Sequence, residues 1–387
     1  MKRRIIYLLS LLILLAGGVW FSRHSDGPPD LTSDYPSRKD TREGQGITNS
    51  VLRGAQPPAK NEDVKPDETN TPRPLAWNES SPDHVLKAIQ HGATGKVTFH
   101  VCDSLGSPVR DSTVFVGFYL DDQRDSTAEG RTDENGYFTA EKLCSLDANC
   151  RITKNGYYRT NFRYYFHKAY TDCVRDGRWI PWNPTLQVTL KEKRKPIPMY
   201  QNYIETVMPA GTNRLGFDFL VGDWVAPQGK GTIADMWYVY DDNFIDRDNF
   251  YIKLSFVFPG EKNGCYMRKM DNFSELISEH EASDTELAPS KVCVIEQEKG
   301  KFTKELRFAE DDYMVFRIRT KTDEQGKIVS SHYGKIYGPV GVPHRWSKKF
   351  SFTYYLNPTP NSRNLEYDPQ KNLILDAQRH TMNRNLP

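Results

Sequence analysis

The stretch Tyr240–Phe250, YDDNFIDRDNF, holds the densest group of carboxylates in the chain. Asp241, Asp242, Asp246 and Asp248 at this spacing could hold calcium, a hard cation that prefers oxygen ligands. They could equally supply the paired acid and base of glycoside hydrolysis. They also lie between two strand-like runs, where Asp and Asn favour turns. A second oxygen-rich stretch is Thr132–Phe138, TDENGYF. A calcium loop would add carboxylates at alternating positions, and none follows. Asp at the first position and Gly at the fourth suit a type I turn with a left-handed glycine. The same signal recurs at Thr322–Gly326, TDEQG, so both stretches are read as turns.

Between Tyr157 and Trp182 aromatic and basic residues interleave. Period-two phasing puts Tyr158, Phe162, Tyr164 and Phe166 on one face, which reads as core. Tyr157, Arg159, Arg163 and Tyr165 share the other. Exposed rings with fixed donors suit a sugar or peptide, so these four are the candidate ligand-binding residues; burial against a neighbouring element is the competing reading. Glu279-His280-Glu281 is polar and compact but has no second histidine at ligand spacing, so it reads as a solvated segment. The chain has no G-x-S-x-G elbow, no H-E-x-x-H pair and no phosphate-binding loop. No catalytic residue and no cofactor are therefore assigned.

Six cysteines divide four and two: Cys102, Cys144, Cys150 and Cys173, then Cys265 and Cys293. No C-x-x-C spacing supports a metal site. In an exported chain an even count suggests disulfides. Cys265 and Cys293 bracket a polar stretch, Tyr266 to Val292, with few apolar anchors. Closing it would remove unfolded-chain entropy worth about 3 kcal/mol. A Cys265–Cys293 disulfide is expected, with Cys144–Cys150 as a second, local pair.

Export is inferred from the first 23 residues. Lys2, Arg3 and Arg4 precede an apolar run, Ile5 to Phe21, which reads as an uncleaved single-pass membrane anchor or a cleaved signal. The basic flank would stay in the cytoplasm and the bulk of the chain would face outward, at the cell membrane, or secreted or periplasmic if cleavage occurs. Residues 24–80 are rich in Pro, Asp, Glu, Ser, Thr and Asn and read as a disordered linker. Ser81 as N-cap, Pro82 as first helical residue and Gly92 as the stop predict a short helix. The net charge of +2 offers no global field for nucleic acid.

Beyond the helix, period-two alternation recurs. Val114, Val116, Phe118 and Leu120 form one such face. Ile252, Leu254, Phe256 and Phe258 form another, as do Met314, Phe316 and Ile318, and Phe350, Phe352, Tyr354 and Leu356. One apolar and one wet face per strand is the pattern of antiparallel sheets. The chain is thus read as mainly β, with two antiparallel β-sandwich-like domains after the membrane helix and linker. The first covers 81–198 and the second covers 199–387; the second reads as a sandwich or an open barrel.

The run Val101-Cys102-Asp103-Ser104-Leu105-Gly106-Ser107-Pro108-Val109, then Val114, then TDENGYF and Asn155-Gly156-Tyr157, resembles the carboxypeptidase regulatory-like domain, a transthyretin-like β-sandwich. The resemblance covers about residues 93–192. Asp111-Ser112 stands where that family usually has Gly-Ala. It implies a non-catalytic module of an exported protein and carries over no active site. The expectation is an exported, membrane-tethered protein with a binding or structural role at the cell envelope and an envelope protein or glycan as partner. The alternative is a glycan-directed enzyme with its carboxylates in residues 199–387.

Overall fold

Along β1 (Ala93–Asp103), Ala93, Gly95, Val97, Phe99 and Val101 are buried while Thr94, Lys96, Thr98, His100 and Cys102 are only partly covered. That alternation sets the first layer of the molecule. The computed structural model describes residues 82–120, 126–167, 172–306, 308–309, 311–338, 349–374 and 386–387. The chain divides into Met1–Lys60 and Asn61–Pro387, and every described residue belongs to the second unit. The expected anchor and the linker of residues 24–80 lie outside the described residues. No helix among the described residues is long and apolar enough to cross a membrane.

Helix α1 (Asp83–His91) precedes β1 and buries Val85 and Ala88. Pro82 stands at the N-cap, not at the first helical position, and the Val85 N–H donates to its carbonyl at 2.9 Å. Gly92, at φ +85°, ends the helix. There follow β2 (Thr113–Phe118), β3 (Thr127–Arg131), β4 (Tyr137–Cys144), β5 (Asp147–Thr153), β6 (Thr160–Tyr165), β7 (Val174–Arg175), β8 (Arg178–Trp179) and β9 (Thr185–Leu190). β4, β1, β8 and β7 form one sheet, with β9 pairing parallel to β1. β3, β2, β5 and β6 form the other. Phe99, Val116, Ile152, Phe162 and Trp179 meet in the core these strands share.

The second half holds β10 (Ile197–Val207), β11 (Arg214–Asp218), β12 (Asp223–Trp224), β13 (Met236–Phe244), β14 (Phe250–Val257), β15 (Gly264–Lys269), β16 (Ser290–Glu298), β17 (Lys301–Leu306), β18 (Asp312–Thr322), β19 (Ile328–Tyr337), β20 (Lys349–Leu356) and β21 (Tyr367–Asn372). They make two six-stranded sheets, β12-β11-β13-β14-β16-β17 and β15-β18-β19-β20-β10-β21. An aromatic core of Phe217, Phe219, Tyr238, Phe256, Phe316 and Phe352 spans them.

The expected wet faces of β18 and β20 are not wet. Val315, Arg317, Thr353 and Tyr355 are buried along with their alternating neighbours. A further core, rich in tyrosine (Tyr266, Tyr313, Tyr333, Tyr337, Tyr355, Tyr367), occupies that side. Part of its cover is the segment between β15 and β16. Ala282 belongs to this core, and Ile277 and Leu287 pack against it. This stretch was expected to be a polar loop with few anchors; its few apolar residues are the anchors.

Candidate functional site

The oxygen-rich stretches resolve first. Asp133 Oδ1 accepts the N–H groups of Asn135 at 2.9 Å and Tyr137 at 2.8 Å. Asp323 Oδ1 accepts those of Gln325 at 3.1 Å and Lys327 at 2.8 Å. Gly136 and Gly326 take φ of +78° and +76°. Both are turns, as their spacing implies. Asp103–Ser107 is a third copy: its carboxylate accepts the N–H groups of Leu105 and Ser107 at 2.8 and 2.9 Å.

The four aspartates of the densest cluster do not converge. Asp241 and Asp242 are adjacent on β13, so their side chains point to opposite faces; their cross-strand partners are Lys253 and Ile252. Asp246 accepts from the Asp248 N–H and from Asn249 Nδ2, closing the hairpin to β14. Those bonds, with the Asn249 amide first, lower its carboxyl pKa. Among the described residues no group of three or more His, Cys, Asp or Glu is placed to hold a metal ion. The Glu279-His280-Glu281 segment is likewise divided. Glu279 accepts the Tyr266 hydroxyl, His280 Nε2 bonds the Glu192 carbonyl at 2.8 Å and Glu281 pairs with Arg363 at 3.4 Å.

The expected Cys265–Cys293 and Cys144–Cys150 disulfides are not formed, and all six cysteines are free thiols. Cys265 and Cys293 pack as small apolar groups in the aromatic core, on β15 and β16. The stretch between them is tied down by its own apolar anchors and hydrogen bonds. Cys144 Sγ donates to the Asp147 carbonyl at 3.1 Å, and Cys150 Sγ contacts the Ala148 carbonyl at 3.6 Å. Burial pushes the Cys144 and Cys265 thiols up to about 12.

The ligand-binding set is split by the length of its strand. Tyr157 stands in a turn before β6, where its N–H donates to the Lys154 carbonyl at 3.1 Å and the Lys193 N–H donates to the Gly156 carbonyl at 2.7 Å. This turn borders a cleft of about 530 Å³. Its cations are Arg131, Lys154, Arg159 and Lys193; its anions are Asp111 and Glu275; its neutral donors are Thr113, Thr153, Asn155 and Tyr157. Arg163 and Tyr165 do not line it. At about 3.3 Å per residue they lie well along the strand, where Arg163 Nε donates to Asn149 Oδ1 at 3.1 Å.

Two of the four cations are engaged. Arg131 pairs with Asp111 at 2.7 Å, and Lys154 Nζ donates to the Arg110 carbonyl. Arg159 and Lys193 have no carboxylate ion-pair partner among the described residues. Lys193 Nζ lies 5.3 Å from the Tyr158 ring centroid. Glu275 joins the cleft from the second half, accepting the Arg159 N–H at 3.3 Å while its own N–H donates to the Arg159 carbonyl at 2.8 Å. Desolvation, then Glu192 and Asp103, push the Tyr157 hydroxyl up, so it stays a neutral donor. The cleft's cations and neutral hydroxyl and amide donors are of the kinds that pair with an anionic, hydroxyl-bearing ligand. Lys193 lies in a basic run, KEKRK at 191–195, that sequence reasoning did not single out, and nothing local marked Glu275.

A buried network was missed in the second half. Arg319 reaches Asp218 through Nη2 at 2.6 Å and Asp235 through Nε at 2.8 Å. Asp218 and Asp235 are 1% and 3% exposed. Asp218 also accepts the N–H groups of Leu220, Val221, Thr232 and Ile233. Desolvation acts against these amide bonds and Arg319, and the Asp218 carboxyl ends below its usual value. At Asp235 desolvation dominates and raises it. The two carboxylates brace the loops around β12 and are closed to a substrate.

No family model matches the chain, and no curated protein matches it. Solved structures overlap parts of it. A 3-chlorocatechol 1,2-dioxygenase from Rhodococcus opacus is 17% identical over 27% of this chain and 61% of its own, at a TM-score of 0.22; the chain thus spans less than two thirds of that enzyme. The shaft pilin SpaA from Lactobacillus rhamnosus GG is 11% identical over 70% of this chain and 94% of its own, at a TM-score of 0.19. The major pilin subunit BcpA of Bacillus cereus is 9% identical over 62% and 67%, also at 0.19. Similarity at this level transfers no activity or partner.

Proposed function

We propose that this chain is an exported, membrane-tethered protein that acts without catalysis, in a binding role at the cell envelope, with the Tyr157–Arg159 cleft as its ligand site. The observation that carries the reading is the cleft itself: Arg159 and Lys193 lack a carboxylate ion-pair partner among the described residues and stand beside neutral donors. Lys2, Arg3, Arg4 and the apolar run to Phe21 support export and the tether. The turn motifs support a carboxypeptidase regulatory-like module at about residues 93–192 within a first domain of 81–198, followed by a second domain of 199–387. The ligand is an acidic segment, such as a uronate-bearing glycan.

Titration calorimetry with trigalacturonate tests this. Arg159→Ala and Lys193→Ala are each expected to weaken binding about tenfold, as loss of one charge-assisted bond does. Unchanged affinity in both variants, or no binding by the wild type, would overturn the reading. The alternative is a glycan-directed enzyme with its carboxylates in residues 199–387; release of reducing ends from polygalacturonate by the wild-type chain would favour it.

A further inference from the structure

The partly covered face of β1 presents a surface separate from the cleft. Across it, Lys96, Thr98 and His100 stand opposite Glu141, Thr139 and Tyr137 of β4, and His100 stands opposite Gln187 of β9. Cross-strand partners share a face, so these side chains form one row along the sheet. At one end the His100 and Tyr137 rings stack at 4.3 Å with 7° between their planes, and Tyr137 is 40% exposed. His100 Nδ1 is held by Gln187 Oε1 at 2.8 Å. In the middle, the Thr98 hydroxyl bonds Thr139 Oγ1 and Asn183 Oδ1, each at 2.8 Å. At the other end is Trp182, with Arg178 Cζ 4.8 Å and Lys96 Nζ 5.6 Å from its ring centroid.

The charge at the Trp182 end is unbalanced. Arg178 is the direct cross-strand partner of Arg175 in the β7–β8 hairpin. Like charges in that position repel. Lys96 is paired with Glu141 at 2.9 Å, but no carboxylate pairs with Arg178 among the described residues. An anion over this end would relieve the repulsion. Four residues of β1, about 13 Å, separate the Lys96 and His100 positions. The row is thus long enough for several sugar units, with a ring platform at each end and hydroxyl and amide groups between.

We infer that this face of β1, β4 and β9 binds an extended acidic polysaccharide, with Tyr137 and Trp182 stacking on sugar rings and Arg178 meeting a carboxylate. Rings at both ends favour a glycan over a peptide, because flat sugar faces stack on aromatics while polar edges meet the hydroxyl row.

Affinity electrophoresis of the full chain through gels holding sodium polygalacturonate or neutral dextran tests it. Wild type is expected to be retarded by polygalacturonate and not by dextran. In an Arg159→Ala/Lys193→Ala background, which removes the cleft's own binding of the polymer, Tyr137→Ala and Trp182→Ala should each weaken retardation about tenfold, and Tyr137→Phe should preserve it. Arg178→Gln should weaken it at low salt. Tyr137 is a surface residue, so its variants keep the fold, which an unchanged thermal midpoint verifies. Full retardation of both Ala variants, equal retardation by dextran, or no retardation of wild type would overturn the inference. If Arg159→Ala abolishes trigalacturonate binding while both ring variants bind the polymer normally, the cleft stands and this face does not.

Discussion

Lys335 shows how far a single residue can depart from its ordinary chemistry. It is fully enclosed on β19, donating to Ser278 Oγ at 3.0 Å and the Pro387 main-chain oxygen at 3.1 Å, with the rings of Tyr337 and Tyr355 about it. Burial drives its pKa far below the usual lysine value; Lys191 adds to the depression and Glu366 opposes it. The folded state therefore binds fewer protons here than the unfolded chain between the folded and unfolded pKa values, so stability rises with pH and is lost as pH falls. Relative to Lys335→Met, wild type is expected to gain up to about 1.4 kcal/mol per pH unit between pH 7 and 9. The other titrating groups are common to both proteins and cancel. Urea melts at the two pH values check this, and parallel pH dependence would show that the amine is charged. No sequence pattern marked Lys335, because its solvent exclusion comes from a segment far away in the chain.

At the scale of elements, three Asp-x-x-Gly turns show which local signals can be read directly. Each works through one carboxylate oxygen that accepts two backbone amides, so the residues needed are adjacent in the chain. What differs is the surroundings. A Cβ at Gly136 would lie 2.5 Å from the Val101 carbonyl, whereas at Gly326 the nearest group is Lys262 Nζ at 3.7 Å. Gly326→Ala should then cost about 1–2 kcal/mol, the left-handed penalty alone. Gly136→Ala should cost a further ~1–3 kcal/mol for the forced shift. Equal losses in denaturant melts would show that the approach to Val101 is relieved at no expense.

The whole molecule is joined by the segment between β15 and β16. The Asn161 N–H of β6 donates to the Phe273 carbonyl at 2.8 Å, and the Phe273 ring packs edge-on against Phe162 at 5.8 Å. Lys191 Nζ donates to the Leu276 and Ser278 carbonyls and pairs with Asp271 at 3.0 Å. Tyr158 reaches across to Glu366 at 2.9 Å. The β6 edge, which would otherwise offer free backbone groups, is covered in this way. Phe273→Ala is expected to cost about 2 kcal/mol and to split thermal unfolding into two transitions. A single unshifted transition by calorimetry would show that the halves hold together without it.

Local stereochemistry determined what this sequence states by itself. Period-two alternation marks its strands, Asp and Gly its turns, and Gly92 the end of its helix; each depends on residues within a few positions of one another. The same local alternation turns Tyr158 and Phe162 inward and leaves Arg159 on the exposed face. Only the tertiary structure decided which residues of that face share a cleft, because Glu275 and Lys193 arrive from distant segments. It also decided that the four clustered aspartates diverge, that the cysteines stand as separate thiols, and that Asp218, Asp235 and Arg319 meet. Burial on both faces of β18 and β20 was equally hidden. An alternating strand records a difference in polarity between its faces, but what packs against the polar face is set by chain segments dozens of residues away.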